Sequence, residues 1–429
     1  MRTKLAYGKT HLEVNLPDQW DITIVEPQHE IGLADPVGAV QDALKHPLCS
    51  RPLSELVAPH HQIGIVINDI TRATPTQILV QALTDELRKV IPDDQTTIFV
   101  ALGTHRENTE AELRSILGDE LYNSFSIVQN NAFDKSTQLR MGKTRLGHEI
   151  WINRALADCN LLILTGFIEP HFFAGFSGGG KAIMPGMGGL ETIMDNHSAR
   201  MVADPSSTWG HTRGNPIWEE IQEISDLFNT FLVNVTMNHN KEITRVFAGD
   251  LKITHQAGSM FAKQLAMVPV AAPFDIVLTS NSGYPLDLNL YQAVKGMSAA
   301  AKIVKNEGII IIAAECWDGI PEHGHFASQL CGANSPTDLI KTIQSPGFRQ
   351  QDQWQTQVLA QILLKAEIYV HSKYLSDAQL ESLFLRPARD LNSVFNNLSQ
   401  RFDSQPRVCV LPQGPLTIPY VKSSRYPNK

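Results

Sequence analysis

The chain has 429 residues, 43% hydrophobic and 19% charged, a composition that supplies a globular core and excludes a disordered chain, a coiled coil or a collagen-like repeat. Lys and Arg number 36 against 44 Asp and Glu, so the net charge is −8, which argues against a nucleic-acid binder or a polybasic protein of the membrane surface. At roughly 100–200 residues per domain the length suits two or three domains.

No run approaches the ~18 apolar residues that a membrane span needs. Met1-Arg2-Thr3-Lys4-Leu5 leads into no apolar signal region. The five cysteines (Cys49, Cys159, Cys316, Cys331, Cys409) are odd in number, scattered and without a CxxC pair. They point to a reducing, cytoplasmic setting in which the thiols act as small buried hydrophobes.

Strand-like and helical patterns alternate along the chain, the mark of an α/β fold with mostly parallel sheets. Ile63–Asn68 (IGIVIN) reads as a strand, Asp69–Pro75 as a polar turn and Gln77–Val90 as a helix. Thr97–Ala101 is a second strand, Leu102–Arg106 a loop and Thr109–Leu117 a helix. Leu161–Thr165 is a third strand and runs into a long glycine-rich loop. In such sheets ligands bind at the carboxyl ends of the strands, so these three loops should gather on one edge. Two further strands are expected in Phe231–Asp250.

A boundary is expected near Val268–Pro273, dividing the chain into an N-terminal domain (1–268) and a C-terminal α/β domain (269–405). The latter starts with the strand Asp275–Thr279, a helix over Leu290–Asn306 and the strand Gly308–Ala313. Helical patterns follow at Gln355–Ala366, Asp377–Leu383 and Leu391–Leu398. The tail (406–429) carries one strand, Arg407–Leu411, able to pack back on either domain.

The most unusual stretch is Gly166–Lys181 (GFIEPHFFAGFSGGGK). Gly178, Gly179 and Gly180 free the backbone and expose N–H groups able to cradle a phosphate. Gly175–Lys181 fits the start of a nucleoside-triphosphate loop, but Ala182 stands where a magnesium-holding Ser or Thr belongs, and Pro185 and Gly186 would stop the helix. A desolvated Lys181 could instead act as a neutral amine and anchor a cofactor covalently. His197, in MDNHS, carries an imidazole suited to nickel, copper or zinc.

His105 and His171 each follow a strand and meet over one crevice if those strands are neighbours. Such a pair is what a racemase or epimerase needs, one base taking a proton and its twin returning one. Arg72 could pair bidentately with a carboxylate, and Asp69 could bond a ribose or orient Arg72. On the helix from Leu290, the residues Leu290, Val294, Met297, Ala301 and Val304 form an apolar stripe. Tyr291, Gln292 and Lys295 lie on the other side, either on a solvated face or presenting Lys295 to an anionic substrate. Trp354 stacks on a ligand or caps the helix that follows it.

Taken in order, DITRATP (Asp69–Pro75), LGTHR (Leu102–Arg106), the Gly166–Lys181 segment, MDNHS (Met194–Ser198), SGYPLDLNLYQAVKGM (Ser282–Met297) and DQWQ (Asp352–Gln355) resemble the nickel-dependent lactate racemase family. The resemblance implies two α/β domains with the site in the cleft between them. It implies an isomerase that uses nickel and a nickel-pincer nucleotide (pyridinium-3-thioamide-5-thiocarboxylic acid mononucleotide). By motif, Lys181 is the covalent attachment point, His197 the nickel ligand, and His105 and His171 the acid/base pair. Arg72, Gln292 and Lys295 position the substrate, Tyr291 and Trp354 line its pocket, and Asp69 with the glycine loop helps hold the nucleotide.

The chemistry so implied is hydride transfer from C2 of a small 2-hydroxy acid, through a 2-oxo acid. One departure is Gly180, where the family often has a basic residue before the lysine. The partners implied are the substrate and, transiently, proteins of cofactor synthesis and nickel insertion, with no nucleic acid and no membrane. A cofactor-binding or storage protein without turnover is the alternative.

Overall fold

The computed structural model describes residues 1–422. It is a mixed α/β structure in two compact units, one spanning His29–Lys263, the other joining Met1–Gln28 to the chain from Gln264 onward. Among the described residues, no helix is long and apolar enough to cross a membrane.

In the unit His29–Lys263 a six-stranded sheet runs, edge to edge, through Ile243–Gly249, Thr230–Met237, Leu161–Phe167, Ile63–Asn68, Thr96–Ala101 and Ser126–Gln129. All neighbours are parallel except the first pair. Leu161–Phe167 is buried throughout, as a near-continuous apolar run in a covered parallel sheet should be. From Ile63–Asn68 the chain adds two strands on one side, then crosses back to place Leu161–Phe167 on the other. The strand order therefore reverses between these two central strands, where α/β sheets open a crevice at their carboxyl ends. The core beneath packs Ile65, Ile67, Ile98, Val100, Ile163 and Phe231 against helices that include Thr76–Leu87 (Leu79, Val80, Leu83).

The other unit holds a second six-stranded sheet, ordered Arg386–Pro387, Ala366–His371, Val304–Ala313, Phe274–Ser280, Arg407–Leu411 and Asp21–Ile24, all parallel. This corrects the expected division at 268. The first 28 residues belong with the C-terminal chain because Asp21–Ile24 extends its sheet. Leu5, Val14, Leu16 and Trp20 are also buried with Ile276, Ile311 and Phe395. The tail strand Arg407–Leu411 lies inside this sheet, between Phe274–Ser280 and Asp21–Ile24.

The helix expected over Leu290–Asn306 stops at Ala301, and Val304 opens a ten-residue strand. Its apolar stripe therefore ends at Ala301. The β-branched Ile303 and Val304 belong to the turn and the strand, where such side chains pack better than in a helix.

Candidate active site

The three loops expected to gather do meet at the carboxyl edge of the first sheet. Asp69 follows Ile63–Asn68 directly, and His105 lies four residues beyond Thr96–Ala101. The Asp69 Oδ2 to His105 Nδ1 distance is 2.7 Å, and Asp69 Oδ1 accepts the Thr71 hydroxyl at 2.8 Å. Asp69 is buried, which alone would raise its pKa; the His105 ring outweighs this, with help from Thr71 and Arg72, and holds the carboxyl below its usual value. Arg72, on the same loop, pairs through Nη1 with Glu169 Oε1 at 2.6 Å, which ties the first loop to the one after Leu161–Phe167.

That last loop opens with a tight hairpin in which Pro170–His171 pairs with Gly175–Phe176. His171 is buried, stacked on Phe172 at 4.9 Å and set edge-on to Phe173 at 4.7 Å. Its Nδ1 accepts the Ala174 N–H at 3.2 Å. Phe173 is shared: the His197 ring meets it edge-on at 5.0 Å, and the Lys181 Nζ lies 5.8 Å from its centroid. Three residues singled out in the sequence therefore surround one aromatic ring.

The glycine loop is held from behind. At Gly178 (φ +77°) and Gly179 (φ +59°) the backbone is left-handed, and a Cβ would lie 2.3 Å from Asn234 Oδ1 and 2.6 Å from the His255 ring. Asn234 Oδ1 accepts the Gly179 N–H at 2.8 Å. His255 stacks on Trp218 at 4.4 Å, and its Nε2 lies 2.9 Å from the Ser177 carbonyl oxygen, so that nitrogen donates. Burial pushes His255 down to about 4; the Ser177 bond opposes the shift and the Lys181 charge adds to it.

Burial likewise lowers Lys181 to about 7, with Arg72 adding to the shift and Glu169 opposing it. The residue as a whole is only half-buried, so the desolvation belongs to its amine. His197 is pushed well below the usual imidazole value by burial and then by Lys181, so it is a neutral ring. It caps the helix Leu190–Asn196, its N–H bonded to the Ile193 carbonyl at 2.8 Å. The preceding Asn196 donates to Glu220 Oε2 at 2.9 Å and to the Ile217 carbonyl at 3.2 Å. Glu220 Oε1 in turn accepts from Thr144 at 2.6 Å and faces His148 Nδ1 at 2.7 Å. The turn bearing His197 is thus braced by a buried carboxylate.

In the other unit the structure brings together the remaining candidates. The helix Leu290–Ala301 starts at Asn289, whose side chain caps Gln292 N–H at 3.1 Å. Lys295 Nζ donates to Gln292 Oε1 at 2.5 Å. Trp354, on Gln353–Leu363, donates its Nε1–H to the Tyr291 hydroxyl at 2.8 Å. Gln355 reaches the Tyr291 carbonyl at 2.5 Å. Gln292 and Lys295 are only 3% and 8% exposed, which rules out the solvated-face reading.

Sequence reasoning missed Glu169, Phe173, Asn234, Trp218 and His255. Asn234 had a visible signal, a lone amide inside the apolar strand FLVNVTM. Glu169 and Phe173 stood in the quoted motif with no role given to them. His255 and Trp218 sit on ordinary amphipathic helices, and nothing local marks them.

A desolvated amine, a neutral buried imidazole and two further histidines thus lie at the carboxyl edge of a crevice-forming α/β sheet, where proteins of this fold class bind ligands. Residues 7–210 match the model of the lactate racemase N-terminal domain and residues 270–418 that of its C-terminal domain. The lactate racemase of Thermoanaerobacterium thermosaccharolyticum is 33% identical over 417 residues, 96% of this chain and 97% of that one. The lactate racemase of Lactiplantibacillus plantarum is 35% identical over 378 residues, 87% and 89% of the two chains. The solved apoprotein structure of the former superposes with a TM-score of 0.88 over 99% of this chain and 100% of that one. A Thermotoga maritima protein, 16% identical and matched over 91% of this chain and all of its own, shares the fold at a TM-score of 0.71. The chain belongs to the lactate racemase family, and with it to the racemases, a class of isomerase.

Proposed function

We propose that the chain is a nickel-dependent 2-hydroxyacid racemase or epimerase of the lactate type, using a nickel-pincer nucleotide joined to Lys181. The observation that carries this reading is the grouping of His171, His197 and Lys181 around Phe173. The residues fit the group. His197 is neutral, the state a metal ligand requires, and Lys181 is an amine near neutrality at ordinary pH. Among the described residues no three His, Cys, Asp or Glu side chains gather to hold an ion.

In this reading Lys181 tethers the nucleotide, His197 ligates the nickel and the loop of Gly178, Gly179 and Gly180 supports the attached group. Bound in this way, the nickel–pyridinium group supplies a hydride acceptor. The chain's own residues do the rest. Arg72, oriented by Glu169, offers a guanidinium to the substrate carboxylate. Gln292 and Lys295 are further positioning groups, and Tyr291 and Trp354 form an aromatic wall joined by a hydrogen bond. His105 and His171 exchange the hydroxyl proton, each serving one enantiomer. Fixing the substrate in this way lowers the barrier by at most roughly 7–11 kcal/mol.

The test uses protein produced together with the cofactor-synthesis machinery. Intact mass should show a nickel-bearing adduct that disappears in Lys181→Ala, and the loaded enzyme should interconvert the enantiomers of at least one 2-hydroxy acid in a chiral panel. A nickel-free, unmodified chain from such cells refutes the reading. An adduct with no interconversion of any acid in the panel identifies a storage protein instead.

A further inference from the structure

We propose that the two active-site histidines rest in opposite tautomers, His105 with its lone pair on Nε2 and His171 with its proton there, and that Asp69 is the positioning residue that makes His105 the base. The inference rests on the racemase reading only for the role of the pair. The tautomers themselves follow from what each Nδ1 touches, since the partner of one ring nitrogen sets the state of the other.

Asp69 is an ionised carboxylate and can only accept, so His105 Nδ1, 2.7 Å from its Oδ2, carries the hydrogen. A neutral His105 then has its lone pair on Nε2. His171 is the reverse case. The Ala174 amide can only donate, so Nδ1 of His171 accepts and a neutral ring carries its hydrogen on Nε2. A ring flip would present a carbon to Ala174. Phe172, stacked at 26°, and Phe173, edge-on at 78°, hold the ring against it. Both contacts sit within one five-residue hairpin, so the sequence His171-Phe172-Phe173-Ala174-Gly175 builds the device locally.

The consequence is mechanistic. A substrate hydroxyl presented to His105 meets a ready acceptor and passes its proton to Nε2, giving an imidazolium that Asp69 stabilises through Nδ1–H. A hydroxyl presented to His171 meets a donor. Before His171 accepts, its proton must leave Nε2 for Nδ1, and the Ala174 bond must break. The two directions of racemisation therefore begin from unlike states.

The experiment is a long-range proton–nitrogen correlation spectrum of the full-length, cofactor-free chain with nitrogen-labelled histidine, at mildly alkaline pH where free imidazoles are neutral. His105→Gln and His171→Gln assign the two rings. We expect His105 to show a protonated Nδ1 and His171 a protonated Nε2. In Asp69→Asn, His105 should lose its single tautomer while His171 is unchanged, a readout that mere loss of packing would not produce. If both rings show the same tautomer, or His105 keeps its state in Asp69→Asn, the proposal falls. Should Asp69→Asn fail to fold, the wild-type spectrum alone decides. The protein measured carries no cofactor, so this failure leaves the racemase reading standing. The expected tautomers together with an inactive loaded enzyme would refute that reading alone.

Discussion

At the scale of single residues, the site is defined by desolvation more than by charge pairing. Lys181 is the sharpest case, an amine moved from 10.5 to about 7 chiefly by burial. The shift has a sign that stability measurements can read. Between about 7 and 10.5 the unfolded chain binds more protons at this lysine than the folded one, so stability rises with pH across that window. The penalty is greatest below 7, where the folded amine must be charged. Lys181→Met removes it and should stabilise the cofactor-free protein by about 1 kcal/mol at neutral pH, a gain bought with the loss of the tether. Urea midpoints of the two proteins followed from about pH 6 to about pH 10 should converge as pH rises. Parallel curves would mean that the amine is solvated. The residue types at the site were readable because chemistry restricts them: a lysine beside three glycines and histidines after strands. Their neighbours were not. Glu169 and His255 act through distances of 2.6 and 2.9 Å to groups 97 and 78 positions away in sequence.

At the scale of elements, the glycine loop depends on the strand behind it. Ordinary side chains avoid left-handed φ values, and Gly178 at +77° also has Asn234 Oδ1 where a Cβ would go. Gly178→Ala should cost about 2 kcal/mol, seen as a Tm lower by roughly 4–8 °C, and should reduce adduct formation at Lys181. Part of that cost is the clash and part the backbone. In an Asn234→Ala background the clash disappears, so the two substitutions should be clearly non-additive, by more than about 0.5 kcal/mol. Additive losses would place the cost in the backbone alone. Elements with continuous apolar runs, such as Ile63–Asn68 and Leu161–Phe167, were legible because a covered parallel strand needs such a run. Ala366–His371 was missed, although Ala366, Ile368 and Val370 alternate with Glu367, Tyr369 and His371, because it follows a helix with no glycine between them and the expected helix ran on to Ala366. The helix from Leu290 was overrun because Ile303 and Val304 continue its apolar pattern into the next strand.

At the scale of the whole molecule, the sequence hid a pairing between distant parts of the chain. Asp21–Ile24 is half-buried or exposed at every position and drew no assignment from the sequence, yet it forms the edge of the second sheet beside Arg407–Leu411. Register with a strand so far along the chain leaves no local mark. The segment also covers that sheet: Leu5, Val14, Leu16 and Trp20 are each at most 4% exposed. Trp20 lies edge-on to Phe395 at 5.2 Å and donates to the Ser399 hydroxyl at 3.0 Å. Burying four such side chains contributes on the order of 6–12 kcal/mol, as much as the whole stability of a typical domain. A chain beginning at His29 should therefore lose the second unit and keep the first. In hydrogen exchange, the amides of Phe274–Ser280 and Val304–Ala313 should lose protection, while those of Ile63–Asn68 and Leu161–Phe167 retain theirs. Equal loss in both sheets would show that the two units do not fold independently. Full protection in both would show that the first 28 residues decorate the second sheet without holding it.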